Sequence, residues 1–155
     1  MADGSARMEI IAVGAREGHD MIEPLLPRHQ AEVGKFIDIS VIKADLPRYE
    51  QLERDGRFFG LVAREGHEIV GYSANFLATN VHYSDLFFCQ NDVLYVVPER
   101  RNSRVGLALI RTTMRIAKSL EAQLMLWHAK PGTSLDRLLP RMKFEVLDII
   151  YAKRL

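Results

Sequence analysis

Apolar residues recur along this chain with two different periods. Short β-branched and aromatic runs alternate with stretches in which apolar positions return every three or four residues. Met8 to Val13 (MEIIAV) is a compact apolar run and predicts a first strand. Gly18-His19-Asp20 opens a helical segment through Met21, Ile22, Leu25 and Leu26. Pro24 is tolerated in a first turn there, and Pro27 predicts a break. Asp45-Leu46-Pro47 opens a second helix over Pro47 to Asp55, with Gly56 as its stop. Val33 to Val41 between them is ambiguous. Arg57 to Arg64 (RFFGLVAR) and Glu68 to Thr79 (EIVGYSANFLAT) flank Glu65-Gly66-His67, which predicts a hairpin. In its second arm Gly71 and Ser73 predict a bulge or a close approach.

Leu86 to Val97 predicts the next strand, ended by Pro98. The period then changes: Val105, Leu109, Thr112, Ile116 and Leu120 recur at helical spacing. Gln123 to Ala129 has the look of a buried strand, broken by Lys130-Pro131-Gly132. Ser134 to Met142 predicts a short helix cut by Pro140, and Phe144 to Lys153 (FEVLDIIYAK) a closing strand. This mixture, α/β with hairpins, argues against a uniformly parallel sheet. No repeat, linker or low-complexity segment interrupts it, so residues 1–155 are expected to form one domain.

Composition narrows the function classes. The net charge is +1, so no global field argues for a nucleic-acid or membrane partner. No apolar run is long enough to span a bilayer. Met1-Ala2-Asp3-Gly4-Ser5 lacks the apolar core of a signal peptide, and residues 1–7 are expected to be a short disordered lead. The single cysteine, Cys89, forbids an internal disulfide, which fits a cytoplasmic setting. With no His-x-x-x-His pair and no cysteine cluster, no metal site is expected. Cys89 itself reads as a small buried hydrophobe.

The chemistry gathers where the central strand meets the long helix. After Val97-Pro98 comes Glu99-Arg100-Arg101-Asn102-Ser103-Arg104, with Asn102 and Ser103 as candidate N-caps. A helix start leaves N–H groups unpaired and its dipole favours anions. Arg100, Arg101 and Arg104 add charge, and Gly106 lets a ligand approach the backbone. A diphosphate suits that arrangement, and a solvated basic loop is the plainer reading.

These residues resemble the signature of the GCN5-related N-acetyltransferase (GNAT) family: a strand, then V-x-P, then R-G-x-G-x-G/A opening a helix. Val96-Val97-Pro98 matches the strand end; Arg101, Val105, Gly106 and Ala108 match the turn and the first helical turn. Asn102 and Arg104 stand where the family's first two glycines would be. Asn102 tolerates positive φ, and Arg104 offers a phosphate contact. The resemblance implies a mixed, mainly antiparallel sheet of six to seven strands, with helices on both faces and a splayed central strand pair. It also implies acetyl-coenzyme A as co-substrate and a small-molecule or protein amine as acceptor. The diphosphate would lie on the backbone of Arg101, Asn102, Ser103, Arg104, Val105 and Gly106, with Leu107 and Ala108 completing the cofactor site. The pantetheine arm would pair like an added strand near Leu94, Tyr95 and Val96. A strand N–H near Val96 would meet the developing oxyanion.

Proton transfer is less legible. The family's usual tyrosine acid aligns with Leu139, and a family asparagine with Gly132. Tyr95, Tyr83 and Ser134 are substitutes. Asp92, four residues before Val96, shares its face if the strand is regular, and is the carboxylate expected as base. His128 sits at the end of the next strand as the second candidate, because histidine is the side-chain type suited to proton transfer near neutrality. Both have bland alternatives, a capping carboxylate and a rim histidine. His19, Glu23 and His29 read as surface residues rather than catalytic ones. Two rival functions stay open: a coenzyme-A-binding module without transferase activity, motivated by Leu139 and Gly132, and an interaction protein whose basic turn binds nucleic-acid phosphates. The acceptor is not named by the sequence, and a homodimer is open through an exposed final strand.

Overall fold

The computed structural model describes residues 7–33 and 42–155. The lead expected over residues 1–7 and the ambiguous stretch Val33 to Val41 lie almost wholly outside them. The strands are β1 (Met8–Val13), β2 (Phe58–Glu65), β3 (Glu68–Thr79), β4 (Phe87–Val96) and β5 (Leu124–Leu126). The helices are α1 (Ala15–Ile22), α2 (Leu26–Val33), α3 (Leu46–Arg54), α4 (Val105–Ser119) and α5 (Ser134–Arg141). Among the described residues there is one sheet, in the order β1-β2-β3-β4-β5. Its first three pairings are antiparallel and the last, β4 with β5, is parallel.

The hairpin forms as its pattern predicts, turning at Gly66 with φ +60°. Val70 is an extra residue in β3, since Ala63 and Arg64 pair with Gly71 and Ile69. Gly71 marks a close approach: a Cβ there would stand 2.9 Å from Tyr95 O and 3.2 Å from Leu109 Cδ1. So α4 lies against the face that carries Gly71 and Ser73, and Ser73 Oγ meets Thr113 Oγ1 of α4 at 3.3 Å. Alternation sends Tyr72 to the opposite face, where His29 of α2 meets it at 2.6 Å. Helices therefore cover both faces. Leu61, Ala63, Val70, Val105 and Leu109 are buried in the main core. A smaller cluster forms around Leu77, Cys89 and Ala117, where Cys89 is fully enclosed and burial pushes its thiol up to about 12.

Several expectations are corrected. Among the described residues five strands stand where six to seven were expected. The strand read over Gln123 to Ala129 is reduced to Leu124–Leu126. Phe144 to Lys153 is not in the sheet: Val146, Leu147, Ile149, Ile150 and Tyr151 are 68–88% exposed. A β-branched apolar run says that a strand is favoured, not that a neighbour exists to take its N–H and C=O groups. The first helix starts three residues early, at Ala15, because Glu53 of α3 accepts from Ala15 N at 3.2 Å. Pro27 does not end the helical stretch; it sits in the first turn of α2, where its missing N–H costs nothing. Asp45 caps α3 by accepting from Arg48 N at 3.2 Å.

Candidate active site

Strand β4 has two unlike halves. Phe88, Cys89 and Gln90 pair with β5 on one side and β3 on the other. Beyond Gln90, among the described residues, only the β3 pairing continues. Between the halves, Asn75 pairs with Asn91 and Ala74 with Val93, so Asp92 is one residue too many. Such a bulge bends a strand and increases its twist. It opens a wedge between β4 and β5 whose walls include Leu94, Val96, Gly106, Trp127 and His128, within a cleft of about 2160 Å³.

Buried polar groups hold the bulge. The Asn91 side-chain amide donates to Asn75 Oδ1 and Val93 O, both at 2.9 Å, and leans to Ala74 O at 3.3 Å. Asn75 Nδ2 donates in turn to Ser73 Oγ at 3.1 Å. Asn75, Asn91 and Thr113 are at most 1% exposed. The carbonyls that the bulge takes out of the ladder thus find side-chain donors.

The open edge of β4 carries main-chain groups. Val97 N donates to Val70 O at 3.0 Å, on the β3 side. Strand alternation then turns the N–H and C=O groups of Leu94 and Val96 into the wedge and those of Tyr95 toward β3. The Tyr95 side chain is buried under α2, stacked on His29 at 4.6 Å between centroids, with its hydroxyl 3.4 Å from Glu32 Oε1. Burial raises the Tyr95 and Tyr72 phenols, and burial pulls the His29 imidazole down against the opposing pull of Glu32. His29, expected at the surface, is 8% exposed.

The basic turn is arranged differently from the three-guanidinium site expected. Arg100 donates to Glu65 Oε2 at 2.8 Å. Arg101 pairs with Glu32, donates through Nε to Val96 O at 2.9 Å, and stands 5.7 Å over the Tyr95 ring. Both acids arrive from distant segments, which local sequence does not reveal. Arg104 is the turn's guanidinium that forms no ion pair among the described residues. It is also the helix N-cap, with no side-chain cap bond. Ser103 Oγ accepts weakly from Val105 N at 3.3 Å, so the candidate caps serve only in part. Asn102 does not take positive φ. The turn closes through Arg100 N to Val97 O and Ser103 N to Arg100 O, and needs no left-handed residue. The first helical bond runs from Ala108 N to Arg104 O, which leaves the N–H groups of Gly106 and Leu107 directed out of the helix end.

Asp92 is exposed, and the bulge removes it from the face of Val96. It meets Tyr49 of α3 instead, with Tyr49 OH 3.5 Å from Asp92 Oδ2. Burial, then Asp92, raises the Tyr49 phenol. His128 is exposed just past β5, on the far wall of the wedge. Leu139 is buried, and Gly132 has φ +79°. Sequence reasoning missed Tyr49 and Trp127. Trp127 Nε1 is buried beside the wedge with no acceptor among the described residues. A lone tryptophan after an apolar strand was the available signal.

No family sequence model matches the chain. No curated protein sequence matches it either. Solved structures do. An aminoglycoside acetyltransferase from an uncultured soil metagenomic sample, in complex with sisomicin, superposes with a TM-score of 0.71 at 15% identity, over 96% of each chain. A ribosomal-protein-alanine N-acetyltransferase from Brucella melitensis biovar Abortus 2308 gives 0.67 at 21%, over 96% of this chain and 99% of that one. A Trypanosoma brucei acetyltransferase gives 0.70 at 14%, over 96% and 100%. Among the described residues no helix is long and apolar enough to cross a membrane. At these identities the likeness is one of architecture, and the chain has the GNAT fold.

Proposed function

We propose that this protein transfers an acetyl group from acetyl-coenzyme A to a primary amine. The observation that carries the reading is the wedge itself: a strand edge freed by a bulge, running straight into the unpaired N–H groups of a helix start. The coenzyme supplies an activated thioester and a diphosphate handle.

Gly106 and Leu107 N–H would bind the diphosphate oxygens, with Arg104 adding charge. Asn102, Ser103 and Val105 shape that turn, while Arg101 organises it through Val96 O and Glu32 rather than reaching outward. Leu94 and Val96 present strand hydrogen bonds to the amide-bearing pantetheine arm. The orphaned Trp127 Nε1 fits a carbonyl in the same wedge, since a buried donor left unpaired costs roughly 1–3 kcal/mol. A main-chain N–H on this edge would stabilise negative charge on the reacting carbonyl oxygen. The acceptor would enter from the side of Tyr49 and Asp92. Asp92 is the carboxylate we assign to hold or remove the amine proton, directly or through water, and His128 is the alternative from the opposite wall. The solved neighbours act on acceptors as different as an aminoglycoside and, by name, a ribosomal-protein alanine, which supports the amine as the shared chemistry.

Thermal shift with acetyl-coenzyme A, coenzyme A and ADP tests the binding half, because a ligand of the folded state raises Tm by linkage. All three are expected to stabilise. No shift with any of them removes the proposal. Arg104→Ala is expected to weaken coenzyme A about three- to tenfold, and more steeply at low salt. A coenzyme-A-binding module without turnover is the second reading, favoured by buried Leu139 where the family places its acid. Thiol release with any amine of a panel excludes it.

A further inference from the structure

We propose that the outward face of α4 binds the phosphate backbone of duplex nucleic acid. The basis is the way charge is laid along this helix, and it does not depend on acetyl transfer. Arg104, Arg111, Arg115 and Lys118 are exposed and follow one another at intervals of seven, four and three residues. Each interval is close to a whole number of helical turns, so the four side chains leave the helix on one side, over roughly 21 Å. α4 holds no Asp or Glu among its 15 residues, in a chain whose acids and bases are balanced at 20 and 21. The side chains of Arg104, Arg111 and Lys118 have no hydrogen bond or ion pair among the described residues. Arg115 meets only Thr112 Oγ1, at 3.1 Å.

Helix stability does not account for this row. Cations three and four residues apart repel one another, and a cation at the N-terminal end opposes the helix dipole, as Arg104 does. The row is therefore a cost to the folded chain unless an anion lies along it. The kind of anion follows from what surrounds the charges. The apolar side of α4, with Val105, Leu109, Ile110 and Ala117, is buried in the protein, and none of the exposed large apolar residues lies within the helix. A lipid surface takes an amphipathic helix by its apolar face, and a protein partner needs an apolar patch at the centre of its interface. This face offers neither. Interfaces with nucleic acid, by contrast, are polar and strongly positive. About 21 Å of duplex carries on the order of a dozen phosphates, and three of the four cations are guanidiniums, whose forked donors match phosphate oxygens. Contacts to phosphate carry no sequence information, so one duplex is expected to serve as well as another. With a net charge of +1 the chain as a whole supplies no long-range pull, and the attraction belongs to this face.

Fluorescence anisotropy of a labelled, mixed-sequence DNA duplex of about 20 base pairs, titrated with the full chain from about 50 to about 200 mM KCl, is the test. Binding is expected with Kd between roughly 10⁻⁴ and 10⁻⁶ M, weakening steeply with salt. Arg111→Gln/Arg115→Gln/Lys118→Gln spares Arg104 and the wedge. It is expected to weaken binding about tenfold or more and to flatten the log–log salt slope by about two to three, with an unchanged far-ultraviolet circular dichroism spectrum. Should that variant not fold, Arg111→Glu alone decides in the same titration, with an expected loss of about threefold or more. No binding at the lowest salt overturns the proposal. So does a triple variant that keeps the parent's affinity and slope, polyglutamate that competes as well as unlabelled duplex, or binding confined to phosphatidylserine vesicles.

Discussion

The two halves of β4 differ more from each other than β4 differs from its neighbours. The half at Phe88 to Gln90 is a central strand, hydrogen-bonded on both sides and enclosing Cys89. The half at Leu94 to Val96 is paired, among the described residues, only to β3 and presents its other edge to the wedge. One surplus residue separates them. A continuous ladder stabilises but leaves nothing to bind with; a bulge gives up ladder bonds and gains an edge. The lesson is that an open edge has to be stabilised from behind. Asn91, Asn75, Ser73 and Thr113 do that on the α4 side, and Tyr72, His29 and Tyr95 on the other.

Removing that support is expected to have the largest effect. Asn91→Val leaves Val93 O and Asn75 Oδ1 buried without their donor, at a cost of roughly 2–4 kcal/mol. At this chain length each kcal/mol lowers Tm by about 2–4 °C, which calorimetry resolves. The comparison sharpens if coenzyme A binding falls further than the lost stability accounts for. Gly71→Ala is next. Its new methyl group would meet Tyr95 O at 2.9 Å and push β3 from β4 at the open half, costing about 1–3 kcal/mol by urea denaturation.

A smaller effect concerns pH. His29 is held neutral by burial, so its folded-state pKa lies below the ordinary value of 6.5. The unfolded chain then binds more protons as pH falls, and stability present above 6.5 is lost as pH drops through the folded value. Melting curves from pH 7 to pH 5 are expected to slope downward in the parent and to flatten in His29→Gln; parallel curves would remove the assignment. Smallest is Gly106→Ala. Its Cβ would sit 3.7 Å from Val96 Cγ2, an ordinary contact, and helix propensity favours the change by up to about 1 kcal/mol. Stability is expected to hold or rise slightly. Coenzyme A affinity is expected to fall, because the methyl group stands where a ligand meets the helix start.

The regular elements away from the wedge were readable from sequence because their signals are local. β1 and β3 have the predicted limits, Gly66 turns the hairpin, and Asp45 caps α3. The open half was readable only in outline. Alternation placed Asp92 with Val96, but alternation cannot show a bulge, and the bulge sends the carboxylate toward Tyr49. Exposure preferences placed His29 outside, yet a short helix over two tyrosines buries it. The charges of Arg100 and Arg101 were plain, but their partners Glu65 and Glu32 lie 35 and 69 residues away. The tail's pattern was that of a strand, and among the described residues it pairs with no strand of the sheet.

Cys89 has a practical consequence. It is the chain's sole sulfhydryl, shut between the two sheet neighbours of β4, with its ionisation pushed to about 12. At neutral pH it offers almost no thiolate to a disulfide reagent. Colorimetric titration of liberated coenzyme would therefore carry no protein blank while the chain stays folded, and slow labelling of this one sulfur would count the molecules that have come apart.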